Sequence, residues 1–368
     1  MLSFLIQQTL VLALSLSTVI PSFQQVEDAS KAAMTYLKKI ACSISGPQIR
    51  HDRYFLNGSR RALPVKTYRD LPAGQPLSRQ SGATYYSFKT LYGSRVHLVI
   101  VDLDSGAWDL RPAVNATVDT TTHSAQSRSA AATINGGYFG LSDGASVSYV
   151  VVDGKEEASL RRNPSLLANT SLTGDIKDAI YNRSEFRFLV SDDGKNHVTV
   201  AHHDQLIPKG YRLVHSLQAG PRLLPELTVE KEAFVRQENG RTVDVIRSRQ
   251  MVARTAFGVT DDRKVLMLCV EGGEEQQGKG GATLLQLRQI MLDLGCIEAL
   301  NLDGGSSTTM YVSYPDLQGQ VNGHTVCRNN PERRVKSVLL LFHKRGGKQS
   351  SSGQARENWH RLRRHRSK

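Results

Sequence analysis

From residue 83 to residue 250 the apolar runs are short and β-branched or aromatic, and from 147 onward each is bounded by Gly or Asp. ATYYSF (83–88), RVHLVIVDL (95–103), VSYVVVDG (147–154), EFRFLVSDDGK (185–195), HVTVAH (197–202) and RTVDVI (241–246) all have this form. Alternation bounded by turn formers is the signature of strands, whereas a helix needs a longer periodic stretch. One segment departs from the rule. MVARTAFGV (251–259) and KVLMLCV (264–270) read as strands joined by a turn at 260–263, and a Gly-rich stretch, 272–281, follows. Residues 284, 287, 291 and 294 are then apolar at helical spacing, with 285, 290 and 292 widening the face, so the spacing predicts a largely buried helix over 283–294. Thr283 suits its N-cap and Gly295 its C′ position. Strands over 297–302, 309–314 and 335–342 complete the pattern. The expected class is α+β, with strand-rich mixed sheets and few helices, rather than a doubly wound parallel sheet.

The flanks differ in composition from this body. Residues 9–20 (TLVLALSLSTVI) form an apolar run too short to span a bilayer but suited to a signal-peptide core, which predicts export and removal of residues 1–24. Residues 25–82 read as a lead-in, with a helix over 27–40 and then a Gly/Pro/Arg/Ser-rich loop. The globular domain is expected over 83–343. Residues 344–368 read as a disordered tail, where nine Lys or Arg face a single Glu. That tail carries most of the formal charge of +13, from 47 Lys+Arg against 34 Asp+Glu. The body is therefore only mildly basic, and the charge does not imply specific nucleic-acid binding; the tail instead suits anionic surfaces. The four cysteines, Cys42, Cys269, Cys296 and Cys327, include no C-x-x-C pair. They leave open two disulfides or buried thiols.

Residues 273–280 (GEEQQGKG) approach the phosphate-loop pattern, but Gly280 stands where the Mg²⁺-binding hydroxyl belongs, and Glu274 and Glu275 would repel a nucleotide. More telling are polar, Gly-bracketed turns at the ends of apolar strands: Asn135-Gly136-Gly137-Tyr138-Phe139, the QAGPR segment ending at Arg222, and Asn301-Leu302-Asp303-Gly304-Gly305-Ser306-Ser307. Arg254-Thr-Ala-Phe-Gly258 and Arg333-Arg334-Val335 accompany them. Any one of these alone is an ordinary hairpin signal.

In this order and at this spacing, residues 83–342 resemble the phosphodiester glycosidase family. The resemblance rests on NGGYF, ARTAFG, the strand–loop–helix of 265–295, NLDGGSSTTM and the late arginines; Ser306 stands where the family usually has a third glycine. It implies hydrolysis of the bond between a sugar's anomeric carbon and a phosphodiester, on an N-acetylglucosamine-type or related sugar, with no cofactor. Such chemistry needs a carboxylate facing an oxocarbenium-like centre and cationic or N–H donors for the departing phosphate. The expected carboxylates are Asp303 and Glu271. Arg254 and Arg334 are the expected phosphate ligands, with Arg333 as the substitute for Arg334 and Arg222 in a lesser role. Gly136, Gly137, Gly304 and Gly305 would admit backbone N–H groups to anionic oxygens. Asn135, Ser306 and Ser307 would bond sugar or phosphate. No ligand cluster for a metal ion is apparent. A binding module that keeps the pocket without turnover is the alternative.

Overall fold

The computed structural model describes residues 67–344, apart from 72, 79–81, 91–92, 239, 273–279 and 317. The expected signal peptide, the helix over 27–40, Cys42, the near phosphate loop and the basic tail from 345 onward lie outside the described residues.

Three sheets carry the fold. The largest has seven strands in the order Gln75–Pro76, Ala83–Lys89, Arg95–Asp102, Lys264–Val270, Arg254–Thr260, Cys296–Asn301 and Arg222–Leu224. A five-stranded sheet holds Ser184–Ser191 at the centre of its longer strands, between Tyr211–Gln218 and Asn196–His202. The other five-stranded sheet runs Val321–Cys327, Met310–Pro315, Ala132–Asn135, Arg334–His343 and Trp108–Thr120. A hairpin, Val235–Glu238 with Arg241–Asp244, stands apart.

The α+β, strand-rich class is what the structure shows, but neighbouring strands among the described residues pair antiparallel where mixed sheets were expected. The reason lies at the one crossover helix. Lys264–Val270 and Cys296–Asn301 flank it and run the same way, yet Arg254–Thr260 lies between them and pairs antiparallel with both. A strand–helix–strand order therefore yields no parallel pair.

That helix spans Leu284–Asp293. Thr283 and Gln286 close a reciprocal capping box at its start, and Gly295 leaves it at φ 86°. Leu284, Leu287, Ile290 and Met291 are buried, whereas Leu285 is 55% and Leu292 37% exposed. The buried face is thus narrower than the apolar spacing suggested, because the helix covers a single sheet face and turns its back to solvent. Its partners are Leu98, Ile100, Leu266 and Leu268. The intervening residues Val99, Val101, Val265 and Met267 enter the opposite core, shared with Ile134, Leu339, Phe186 and Leu217 of the other sheets. Burial on both faces explains why KVLMLCV is continuously apolar rather than alternating. Truncating Leu287 to Ala would cost about 2–5 kcal/mol.

The strand Trp108–Thr120 escaped the sequence pattern because Pro112 interrupts it. It lies at a sheet edge, where a residue without an N–H is tolerated.

Candidate active site

Three motif segments meet at the turn after Cys296–Asn301. Leu302 N–H donates to Thr255 O (2.9 Å), Asp303 N–H to Gly136 O (3.1 Å) and Gly305 N–H to Ala253 O (2.7 Å). Asn135 locks the junction: its Nδ2 donates to Asp303 O (2.6 Å), and its Oδ1 accepts from Thr255 Oγ1 (2.8 Å) and Thr309 N–H (3.1 Å). Side chains and backbone together hold Asp303 over a cleft of about 750 Å³.

Among the described residues, four arginines, Arg183, Arg247, Arg254 and Arg333, and one carboxylate, Asp303, are the charged residues of that lining. Burial raises the Asp303 carboxyl to about 6, against the opposing pull of hydrogen bonds from Ser307 Oγ and Gly304 N–H and of the Arg333 charge. The remaining wall includes Tyr138, Phe139, Phe234 and the exposed Leu141, Val245 and Met251.

The cations differ in how they are held. Arg254 is buried, and its guanidinium donates to four backbone carbonyls, those of Ala282 (2.9 Å), Ile246 (2.9 Å), Arg247 (2.8 Å) and Gln250 (3.2 Å). Desolvation lowers its pKa to about 10. Arg183 donates Nε to Glu232 O (3.1 Å) and lies 3.7 Å from the centroid of the Phe234 ring, with burial lowering its pKa to about 10 also. Arg333 is different. It lines the cleft with no hydrogen bond or ion pair of its own among the described residues, and its Nε is buried without a partner. A part-buried guanidinium left unpaired is the group an anion would complete.

The expected site residues are thus sorted by the structure. Asp303, Gly304, Gly305, Ser306, Ser307 and Arg254 line the cleft, but Arg254 is spent on carbonyls rather than presented as a two-point clamp. Arg333, not Arg334, faces Asp303; Arg334 is exposed and opens onto a neighbouring cavity. Asn135 lies beneath the floor, its amide engaged on the framework. Gly136 and Gly137 donate their N–H groups to Ser337 O (2.8 Å) and Ser337 Oγ (3.0 Å), and a Cβ on Gly137 would sit 2.4 Å from Gln218 O. Those glycines permit close packing rather than anion contact. Gly304 does point an N–H at the Asp303 carboxylate. Arg222 lies outside the lining, its guanidinium 3.9 Å from Glu226. Glu271 is not brought to the cleft either: with the proton on Nε2, His97 donates to its carboxylate (2.7 Å) and accepts from the Tyr85 hydroxyl (2.7 Å).

Sequence reasoning missed Arg183, Arg247 and the roles of Tyr138 and Asn301. Tyr138 donates to Gly220 O (2.9 Å), while Asn301 Nδ2 donates to Tyr138 Oη (2.9 Å), Gly220 O (2.9 Å) and Leu302 O (2.8 Å). Both stand within motifs already singled out. Arg183 has no local signal; it reaches the cleft from the start of a strand in another sheet.

Among the described residues no group of three His, Cys, Asp or Glu is placed to hold a metal ion, and no helix is long and apolar enough to cross a membrane. Cys269 and Cys296 are buried thiols, and burial pushes the Cys296 thiol up.

The sequence profile of the phosphodiester glycosidase family matches residues 128–342. No curated protein matches the chain. Among solved structures, a hypothetical protein from Synechocystis is 17% identical at a TM-score of 0.49, covering 75% of this chain and 64% of its own; the chain thus spans less than two thirds of that protein. The catalytic domain of zebrafish N-acetylglucosamine-1-phosphodiester alpha-N-acetylglucosaminidase, auto-inhibited by its pro-peptide, is 17% identical at a TM-score of 0.47, covering 81% of this chain and 96% of its own.

Proposed function

The chain belongs to the phosphodiester glycosidase family, and from that premise we propose that it hydrolyses the bond between a sugar's anomeric carbon and a phosphodiester oxygen, on an N-acetylglucosamine-type sugar. The observation that carries this reading is the meeting of Asp303, a carboxyl raised to about 6, with Arg333, which has no partner of its own among the described residues, in a cleft whose other charged described residues are Arg183, Arg247 and Arg254. A neutral glycoside has no use for that excess of positive charge. A phosphodiester does, because its leaving group departs as an anion.

In this reading Asp303 takes a proton from water as the water oxygen attacks the anomeric carbon. The carbon–oxygen bond to phosphate breaks, and its electron pair leaves with the phosphate monoester, met by Arg333 and by the fixed charge of Arg183. A phosphate leaves without a strong general acid, which fits a lining whose described residues hold one carboxylate. A pKa near 6 is well matched to a base working near neutrality. Tyr138, Phe139 and Phe234 supply the apolar wall for the sugar ring. Export is part of this proposal, supported by the apolar run at 9–20.

The test is incubation with UDP-N-acetylglucosamine and with a p-nitrophenyl N-acetyl-α-glucosaminide, following sugar release by mass spectrometry. Release from the first, much faster than from the second, is expected. Binding of the sugar nucleotide without release would replace the hydrolase by a binding module; release only from the neutral glycoside would remove the phosphate from the reading.

A further inference from the structure

Arg333 is a boundary as well as a wall. On its far side lies a second cavity of about 780 Å³, which shares Phe139, Leu141, Ser306, Asn329 and Arg333 with the first. A phosphodiester has two arms. With the sugar beside Asp303 and the phosphate at Arg333, the second arm crosses that shared wall.

Beyond the wall the cations continue. Arg334 and Lys336 both line the second cavity, two residues apart at the start of Arg334–His343, hence on one face of the strand and roughly 6–7 Å apart along it. Lys336 donates to Ala116 O (2.9 Å). Arg334 has no ion pair among the described residues; Asp119 and Arg334 influence each other only through charge, and the Asp119 carboxylate is held by His123. The cavity's own carboxylates already hold protein donors: the exposed Asp143 accepts from Ser165 Oγ and Ala145 N–H, and Glu332 from Thr122 N–H. Thr117, Ser142 and Asn330 add polar groups to a lining that also includes Ala116, Val118, Leu141 and Pro331.

We propose that this cavity binds a second anionic group carried on the departing arm, so that the preferred substrate is a chain of phosphate-linked polyol or sugar units attacked at its glycosyl end. The proposal rests on the functional reading above. Arg333 then meets the phosphate that is cleaved from the sugar, and Arg334 with Lys336 the phosphate after it.

Three probes separate the possibilities: N-acetylglucosamine 1-phosphate esterified with methanol, with glycerol, and with glycerol 3-phosphate through a free hydroxyl. Kd is measured by calorimetry on Asp303→Asn protein, so that the readout does not need turnover. The glycerophosphate probe should bind about tenfold tighter than the glycerol probe at low salt, as one charge-assisted contact allows, and the gain should shrink in high salt. Lys336→Met should remove most of the gain. Ser142→Trp, which fills only the second cavity, should weaken both longer probes and leave the methyl ester within twofold. Equal affinity for the glycerol and glycerophosphate probes would overturn the proposal. Hydrolysis of the methyl ester by the unsubstituted protein, without that gain, would leave the functional reading standing alone; the gain without hydrolysis of any probe would do the reverse.

Discussion

The turn at Asn135–Gly137 and the turn at Asp303–Ser307 look alike in sequence, since both end a buried strand and both pair a short polar side chain with two glycines. In the structure they do opposite things. The first is a strut: its amide and its N–H groups are all consumed by Thr255, Thr309, Ser337 and the backbone of Asp303. The second is the tool that the strut holds, with its carboxylate at the cleft. Residue type selects turns, but which side of the turn meets solvent depends on what crosses behind it.

The largest expected effect falls on the second turn. Asp303→Asn should cut turnover by at least ~100-fold, as for removal of a preorganised charge, with the fold intact. A folded variant with a near-normal rate, judged by circular dichroism and sugar release, would make the two turns equivalent after all.

Asn135→Ala should do the reverse. It strands Thr309 N–H and releases the Asp303 carbonyl, so urea titration should show a loss on the order of 2–4 kcal/mol. Turnover at low temperature, where the variant remains folded, should fall far less than in Asp303→Asn. A stable but inactive Asn135→Ala protein would move Asn135 from strut to tool.

The same contrast divides the arginines. Arg333→Gln should raise KM for a phosphodiester by about tenfold and leave the melting midpoint unchanged. Arg254→Gln should lower the midpoint by several degrees through the loss of carbonyl bonds, with equal damage on charged and neutral substrates. Equal effects of the two substitutions on both quantities would abolish the distinction.

The smallest effect is a pH signature. The Asp303 carboxyl is raised in the folded chain above its ordinary value of 3.8, to about 6. Proton binding therefore favours the folded state, and that stabilisation is complete below pH 4 and lost as pH rises through 6. Asp303→Asn removes the loss, so thermal scans should find the variant more stable than the parent at pH 7, by about 1–2 kcal/mol, and no more stable at pH 4. In the parent, activity should fall as pH drops below 6. An unchanged acid limb would remove Asp303 from the proton-transfer step.

Much of this was legible in the sequence. The strands of 251–302, the helix with its cap and stop, and Asp303 as a carboxylate at a strand end all follow from spacing and turn chemistry. What failed was parity. Glu271 and Gly272 are neighbours at one strand end; Gly272 lines the cleft and Glu271 turns to His97. Arg333 and Arg334 exchange places in the same way. A pattern that locates a strand end within one residue cannot say which of two adjacent side chains faces inward, because successive residues point to opposite sides. Arg183 fails for another reason: its place in the cleft is set by how two sheets pack, which no local window contains.

Arg254 grips the stretch from 246 to 250 by its carbonyl oxygens, not by its side chains. Every amino acid brings the same carbonyl. Arg247 itself sits at φ 52°, which confines that position to residues that tolerate a left-handed backbone, but the wall does not depend on the exposed side chains of Val245 and Met251, both of which line the cleft. A lineage could exchange them one at a time, testing new sugars against an unchanged scaffold, and the same latitude is open to anyone redesigning what the cleft accepts.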